Sequence, residues 1–443
     1  MNYLFSKRDL RRLIIPLVFE QALAITVGMA DTMMISSVGE AAVSGVSLVD
    51  MINMLIFSVL AALATGGAVV TSQHLGARKR NEACRSAKQL LYTVIIAGVL
   101  IAILAVAARV PLLRLFFGSI EDDVMNNALI YLMISAVSFP FLAVYNACAA
   151  LFRSMGNSQI TLKVSILINL INVVGNAICI FVLHMGVAGV ALPSLVSRAV
   201  GGIILYILLQ NPENEVYFVK EKIHLEMDVI KRILYIGIPS GIENGIFQLG
   251  RVLVVSIISG FGTIQIAANG VANNLDAMGC IIGQAMSLAM ITVIGQCVGA
   301  QDEKQIRYYT RKLMTIAYVA TIILNSIILI FLNPILSLYG LSQETTKLAY
   351  ILVMIHNGCA MLMWPAGFVL PNMLRACNDV KFTMVVSIFS MFTFRIGFSY
   401  LIGVQMGMGA IGVWIAMVID WIFRILFFVG RYLSRKWKKL CLH

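Results

Sequence analysis

Long apolar stretches separated by short polar segments dominate this sequence. Each stretch has about 20 or more mostly apolar residues, the length of helix that crosses the hydrocarbon core of a bilayer. The pattern predicts an all-α integral membrane protein with twelve transmembrane helices. The predicted spans are 13–37, 46–73, 90–109, 126–150, 161–183, 188–210, 233–259, 267–298, 313–332, 346–372, 383–403 and 409–430.

The composition excludes a water-soluble fold. The 443 residues are 60% hydrophobic and 12% charged, whereas an ordinary soluble domain carries roughly 25% charged residues. The net charge of +12 says little about partners, because cationic residues in membrane proteins concentrate in cytoplasmic loops. We expect a small organic substrate and membrane lipids as partners, no nucleic acid, and a monomer.

The distribution of lysine and arginine predicts the orientation in the membrane. Of the 33, 26 fall in the N-terminus, the C-terminus and every second connecting segment, which are therefore expected to be cytoplasmic. We predict a multi-pass protein of the cell membrane with both termini inside. The opposite side carries only Arg109, Arg114 and Lys347, and the spans contain Arg198, Arg251, Arg395 and Arg424.

The two halves of the chain are related in sequence. A shift of about 223 residues aligns the halves at several positions, which is difficult to attribute to chance. The polar segment 211–232 is the predicted linker between an N-lobe at 1–210 and a C-lobe at 233–443. Six spans in each lobe imply a pseudo-two-fold axis along the membrane normal. The aligned pairs are Pro16 with Pro239, Glu20 with Glu243, Arg153 with Arg375 and Thr161 with Thr383.

Charged residues inside spans are costly to insert, so each is a functional candidate. Glu20 and Asp31 are 11 residues apart and predict one polar stripe on the first helix, about 16 Å long. Pro16 frees the carbonyl of residue 12 from its helical hydrogen bond. A partly buried carboxyl group here could exchange a proton or hold a monovalent cation. Alternatively, it could be a neutral, hydrogen-bonded core residue that takes no part in ion movement.

Three asparagines follow at helical spacing in the fifth span, at 169, 172 and 176. Their amides could complete an ion site with Asp31, or they could serve as hydrogen-bonding glue between helices. The residues themselves do not decide between these alternatives.

The other charged residues in spans receive plainer interpretations. Asp50 and Asp276 lie near predicted helix ends and are interpreted as interface residues. Arg424 is expected to snorkel to the cytoplasmic surface. The remaining arginines are expected to pair with Glu20, Glu243 or Asp420.

Motifs for other chemistry are absent from the sequence. The eight cysteines contain no C-x-x-C pair and are interpreted as small apolar core residues. The histidines show no metal-binding spacing, and there is no phosphate-binding loop. We therefore expect no cofactor, no resident metal and no enzymatic activity.

Four stretches together resemble the multidrug and toxic compound extrusion (MATE) family of the MOP flippase superfamily. The resemblance covers essentially the whole chain. The stretches are DTMMISSVGEAAVSGV at 31–46, RSMGN at 153–157, GIPSGIEN at 237–244 and GQCVGA at 295–300.

This resemblance implies an antiporter that exports organic compounds, often cationic and amphipathic, in exchange for protons or sodium. Asp31 matches the first-helix acid of the family's N-lobe ion site and Asn172 an asparagine of that site. Ser194 replaces the usual threonine, and Asn176 stands where some members have a second aspartate. Asp31 is then the only carboxylate of the matched site, which favours protons over sodium at Asp31, Asn172 and Asn176.

Glu243 falls in the helix that contributes a C-lobe acid in some branches of the family. It is therefore a candidate for substrate binding or for a second coupling step, with Glu20 as its counterpart in the N-lobe. The rival function is a flippase for a lipid-linked or amphipathic metabolite, because Arg198, Arg251 and Arg395 inside the spans would suit an anionic headgroup. A thiol- or lipid-modifying membrane enzyme is the remote third possibility.

Overall fold

The computed structural model describes residues 3–119, 121–218 and 223–442, and every regular element within them is helical. Twelve of these helices are long and apolar enough to cross a membrane, which confirms the all-α fold and the number of spans. Residues 219–222 of the predicted linker lie outside the described residues. The twelve are Lys7–Ser36, Glu40–Gly76, Arg80–Ala107, Asp122–Ser154, Ser158–Val182, Ala188–Leu208, Met227–Ser259, Ile281–Gly299, Glu303–Ile330, Gln343–Ala376, Val380–Gln405 and Gly409–Leu433.

The chain divides into two compact units. The first is Ser6–Asn244, and the second is Gly245–His443 together with the residues up to Phe5. The boundary lies inside the helix Met227–Ser259. The lobe boundaries that we drew from the polar linker remain a prediction.

The first unit contains seven complete helices and the start of an eighth. Its fifth membrane span ends in a π-helical turn, Ile178–Val182. The helices are α1 (Lys7–Ser36), α2 (Glu40–Gly76), α3 (Arg80–Ala107), α4 (Arg109–Phe117), α5 (Asp122–Ser154), α6 (Ser158–Ala177), α7 (Ala188–Leu208) and α8 (Met227–Ser259).

The second unit contains the rest of α8 and nine further α-helices. Three π-helical segments, Pro365–Val369, Met391–Gly397 and Ser399–Gln405, continue its spans. The α-helices are α9 (Thr263–Gly279), α10 (Ile281–Gly299), α11 (Glu303–Ile330), α12 (Leu332–Ser337), α13 (Gln343–Trp364), α14 (Leu370–Ala376), α15 (Val380–Ser390), α16 (Gly409–Leu433) and α17 (Lys438–Cys441).

A hydroxyl group of α6 contacts the backbone of α1 in the turn before Pro16. A proline inside a helix leaves the carbonyl four residues earlier without its helical donor. The Ser158 hydroxyl at the start of α6 supplies a donor instead, lying 2.9 Å from the Arg12 carbonyl and 2.6 Å from that of Leu13. The predicted free carbonyl is therefore satisfied by the helix that carries the candidate asparagines.

Small residues bring α2 and α3 close to α5. A Cβ atom on Gly45 of α2 would lie 2.9 Å from the Ala128 backbone nitrogen, and one on Gly98 of α3 would lie 2.9 Å from the Pro140 Cα atom. Helix association in membranes depends on such close approach, because lipid supplies no hydrophobic driving force between helices. The approach places Asp50 of α2 beside α5.

The predicted eighth span, 267–298, is not one continuous helix. It breaks at Cys280, between α9 and α10. Asn325 of α11 donates its side-chain nitrogen to the Gly279 carbonyl at 3.1 Å, so that a side chain enters the helical hydrogen-bond ladder at the break. Because apolar residues continue on both sides, the hydrophobic pattern could not reveal this interruption.

Candidate ion-coupling site

Asp31 lies in the last part of α1, where two amides of α6 hold its carboxylate. Asn176 donates to Asp31 Oδ1 at 2.7 Å. Asn172, with its amide turned so that both of its polar atoms are satisfied, donates to the two carboxylate oxygens at 2.9 and 3.3 Å. Its oxygen then accepts from Ser194 Oγ of α7 at 2.9 Å. The structure thus brings together the four residues that the family resemblance implied.

Helical spacing explains why two of the three asparagines reach Asp31. Asn172 and Asn176 are four residues apart, so they lie on one face of α6, one turn after the other. Asn169 bonds within its own helix instead, donating to the Ser165 carbonyl at 2.8 Å. The three-amide pattern therefore contains two site residues and one residue that satisfies itself locally.

The two amides present nitrogen atoms to Asp31. An ionised carboxylate only accepts hydrogen bonds, so these donors suit its charged form. Asn176 is fully buried, and its Oδ1 has no hydrogen-bond partner within the described residues. If the amide turned round, that oxygen could accept from a protonated Asp31 or bind a cation held by the carboxylate.

A second carboxylate, Asp50 of α2, belongs to the same unit. Tyr131 of α5 donates its hydroxyl to Asp50 Oδ1 at 3.0 Å. Arg198 of α7 acts electrostatically on both Asp50 and Asp31. It also donates to Ser138 Oγ at 2.7 Å, and its guanidinium carbon lies 4.6 Å from the centre of the Phe57 ring.

Sequence reasoning missed Tyr131 and gave Asp50 only an interfacial role. Tyr131 stands in a span without any distinctive spacing, and it becomes a candidate only because α2 and α5 pack closely. With both carboxylates ionised, Asp31, Asp50 and Arg198 carry a formal charge of −1. One added proton makes the group neutral.

Glu20 forms an ion pair of its own. Its carboxylate lies 3.4 Å from Arg153 Nη1 and accepts from the Thr161 hydroxyl at 3.1 Å. Its side chain is 11% exposed. Arg153 and Thr161 are two of the positions repeated in the second half, so the first copy of that motif serves to hold Glu20. The predicted polar stripe of α1 is divided between this pair and the Asp31 group, which are about 16 Å apart along the helix.

Glu243 is buried in α8, with 6% of its surface exposed. It follows Pro239 at the same spacing as Glu20 follows Pro16. Its role in substrate binding or coupling remains a prediction.

The snorkelling predicted for Arg424 is wrong. This residue is only 3% exposed, and its Nε lies 3.0 Å from Asp420 Oδ1 within α16. Its Nη1 donates to Ser387 Oγ of α15 at 3.1 Å. Asp420, which we expected to pair with another arginine, therefore pairs with Arg424. The two residues lie one helical turn apart, and a buried charge is retained only when it is paired.

The fold and the site together define a multi-pass membrane protein made of two related halves, with a carboxylate and two amides inside the first. The chain belongs to the MatE family, whose model matches residues 16–178 and again residues 239–401. The two matches start 223 residues apart, which confirms the internal duplication.

Relatives of nearly the same length share about a quarter of the residues. The uncharacterized transporter YisQ of Bacillus subtilis is 27% identical over 433 residues, which cover 95% of this chain and 93% of YisQ. The probable multidrug resistance protein NorM of Thermotoga maritima is 24% identical over 441 residues, covering 98% and 93%.

Solved structures share the fold. A crystal structure of MATE in complex with MaL6 matches with a TM-score of 0.91 at 21% identity, covering 98% of this chain and 97% of the other. An outward-facing structure of a multidrug resistance MATE family transporter matches with the same score and coverage.

Proposed function

We propose that this protein is a multidrug efflux antiporter that exports amphipathic, mainly cationic organic compounds while protons flow inward by alternating access. The observation that carries the proposal is the Asp31 carboxylate, placed within a membrane span and held by two amide donors. The multidrug resistance names of the relatives support the substrate class. Membership of the MatE family supports transport as the activity.

The orientation of the Asn176 amide favours protons as the coupling ion. Hard cations such as sodium are bound by several oxygen atoms. Asn176 turns its nitrogen atom toward Asp31 at 2.7 Å, so its amide would have to rotate before its oxygen could help Asp31 to hold a sodium ion. A proton needs only the carboxyl group, and it would neutralise the charge of −1 on the group with Asp50 and Arg198.

Sodium is the second candidate for the coupling ion, because one buried oxygen atom near the site is available to bind a cation. Asn176 Oδ1 is buried and has no hydrogen-bond partner in the part of the chain that the structure describes, and the nitrogen of the same amide contacts the carboxylate. Rotation of the Asn176 amide would let a cation bind between Asp31 and this oxygen. The coupling experiment must therefore impose the two gradients separately.

The arginines give the flippase alternative less support than their number suggests. An anionic headgroup needs uncompensated positive charge. Arg198 is balanced by the carboxylates of Asp31 and Asp50. Asp276 acts electrostatically on Arg251 and Arg395, and Asp420 also acts on Arg395. We therefore favour efflux over lipid flipping. We also propose that the protein lies in the cell membrane with both termini in the cytoplasm, as the loop charges predict.

The test is transport of a lipophilic cation by the purified protein in proteoliposomes. A pH gradient and a sodium gradient are imposed in turn on the parent, on Asp31→Asn, and on Asp123→Asn as a control at an exposed acid of α5. We expect accumulation driven by the pH gradient in the parent and the control but not in Asp31→Asn. Glu20→Gln should show a weaker defect.

Accumulation of substrate that follows only the sodium gradient would show that sodium, and not the proton, is the coupling ion. Undiminished accumulation by Asp31→Asn would remove this residue from the mechanism. Transport of a lipid-linked anion without any response to lipophilic cations would favour the flippase.

A further inference from the structure

Three metal-ligating side chains meet at the break between α9 and α10. Asp276 lies in the last turn of α9, Cys280 follows the end of that helix, and His356 reaches them from α13. His356 Nε2 lies 2.6 Å from Asp276 Oδ1, and Cys280 Sγ lies 3.3 Å from the same oxygen. The three ligand atoms all lie within 4.8 Å of one another. The interpretation of the cysteines as small apolar core residues does not fit Cys280, because its thiol contacts a carboxylate.

A chain of hydrogen bonds fixes which nitrogen of His356 faces Asp276. Asn325 Nδ2 donates to two backbone carbonyls, at 2.9 and 3.1 Å, so its oxygen is available to accept. Asn357 Nδ2 donates to that oxygen at 2.9 Å, which leaves Asn357 Oδ1 to accept from His356 Nδ1 at 3.2 Å. His356 Nδ1 therefore carries a hydrogen, and Nε2 is the nitrogen directed at the carboxylate. Metal-binding histidines are oriented by such an outer hydrogen bond.

The surroundings hold the imidazole ring rigidly. The rings of Trp414 and Trp421 pack edge-on against His356, with centroid distances of 5.7 and 5.0 Å. His356 is 1% exposed and Cys280 is 6% exposed. The Asp276 side chain, which is 22% exposed, is the one open to an entering ion.

We propose that Asp276, Cys280 and His356 form a binding site for a thiophilic divalent cation, with Zn²⁺ as the ion that the ligand set fits best. Zinc takes thiolate, imidazole and carboxylate ligands in tetrahedral geometry, with water in a position that the protein leaves open. Magnesium and calcium prefer sites made of oxygen atoms alone.

Small movements of the side chains convert the present contacts into ligand geometry. Around tetrahedral zinc, the nitrogen and oxygen ligands lie about 3.4 Å apart and the sulfur and oxygen ligands about 3.6 Å apart. The Nε2–Oδ1 contact must therefore open by about 0.8 Å and the Sγ–Oδ1 contact by about 0.3 Å. Rotation of the partly exposed Asp276 carboxylate can supply both movements. Cys280 Sγ lies within 4.8 Å of His356 Nε2, and rotation of the cysteine side chain must bring the two atoms to about 3.6 Å from each other.

Binding exchanges one divalent cation for two protons. The proton shared by Asp276 and His356 and the proton of the Cys280 thiol leave to solvent, and metal–oxygen, metal–nitrogen and metal–sulfur bonds form. The site has a formal charge of zero before and after the exchange. Arg251 and Arg395, which act electrostatically on Asp276, therefore do not oppose the ion through a change in net charge.

The experiment uses Cd²⁺ and Zn²⁺ alone as probes of the purified full-length protein in detergent. Bound Cd²⁺ is measured by the ultraviolet charge-transfer band that a cadmium–thiolate bond produces. Proton release is measured with a pH indicator in weakly buffered solution. We expect one cadmium ion and two released protons for each chain.

Cys280→Ser should lose the charge-transfer band, whereas Cys359→Ser, a partly buried cysteine of α13, should retain it. His356→Gln should weaken zinc binding at least tenfold. If His356→Gln does not fold, Asp276→Asn serves in its place, with the elution profile as the check on folding. A band that persists in Cys280→Ser, an equal loss in Cys359→Ser, or no metal retained by the parent would each overturn the proposal.

Discussion

Replacing Asn176 by alanine should shift the pH dependence of transport. In the structure, Asn176 donates to Asp31 at 2.7 Å and stabilises the ionised carboxylate relative to the protonated carboxyl group. Without that donor, Asp31 should keep its proton to higher pH. The midpoint of the pH profile should therefore move in the alkaline direction.

The size of the shift follows from the contact that is removed. A hydrogen bond to a charged group contributes about 1.5–3 kcal/mol, and each pH unit of a protonation midpoint corresponds to about 1.4 kcal/mol. Complete loss of such a hydrogen bond would therefore shift the midpoint of the pH profile by about one to two pH units. Because Asn172 still donates to the same carboxylate, we expect the lower end, about one unit.

The assay is the initial rate of substrate transport in proteoliposomes over a series of internal and external pH values, with the pH difference held constant. Asn169→Ala is the matched control, because it removes the same amide from the same helix without touching Asp31. An equal shift in both variants, or an unshifted profile for Asn176→Ala, would refute the role assigned to this hydrogen bond.

Three further predictions concern stability, orientation and the second half. Arg424→Met should lower the free energy of unfolding by about 3–5 kcal/mol in detergent, because it leaves Asp420 charged and buried, and adding Asp420→Asn should restore most of the loss; an unchanged single variant would contradict the buried pair. On a cysteine-free background, a cysteine at Ser342 should react with an impermeant reagent from outside the cell and one at Asn81 should not; the reverse result would invert the orientation. Glu243→Gln should change substrate affinity or the number of protons exchanged in sodium-free buffer; if both match the parent, Glu243 is a structural remnant of the duplication.

Regular spacing is what made part of the molecule predictable. Helices expose residues four apart on one face, so Asn172 and Asn176 could be recognised as a pair before their partner was known. The repeated positions, such as Pro16 and Pro239, revealed the duplication because both copies kept them at nearly the same offset, 222 or 223 residues. The number of spans was predictable because a helix needs about 20 apolar residues to cross a bilayer.

Contacts between distant helices were not predictable in this way. Nothing near Glu20 in the sequence identifies Arg153 as its partner, and Tyr131 meets Asp50 only through the close packing of α2 and α5. The break at Cys280 depends on a side chain from α11 that enters the helical ladder. Each of these contacts joins residues far apart in sequence, where local spacing carries no information.

The measurement that tests the central claim most directly is proton movement driven by substrate. Proteoliposomes with an internal pH indicator are prepared in sodium-free buffer, and a lipophilic cation is supplied on one side. Substrate entry through the parent should drive protons out of the vesicles at a rate that saturates with substrate, and Asp31→Asn should show none of this flux. Substrate movement in the parent without any counterflow of protons would contradict the assignment of Asp31 as the proton-coupling residue.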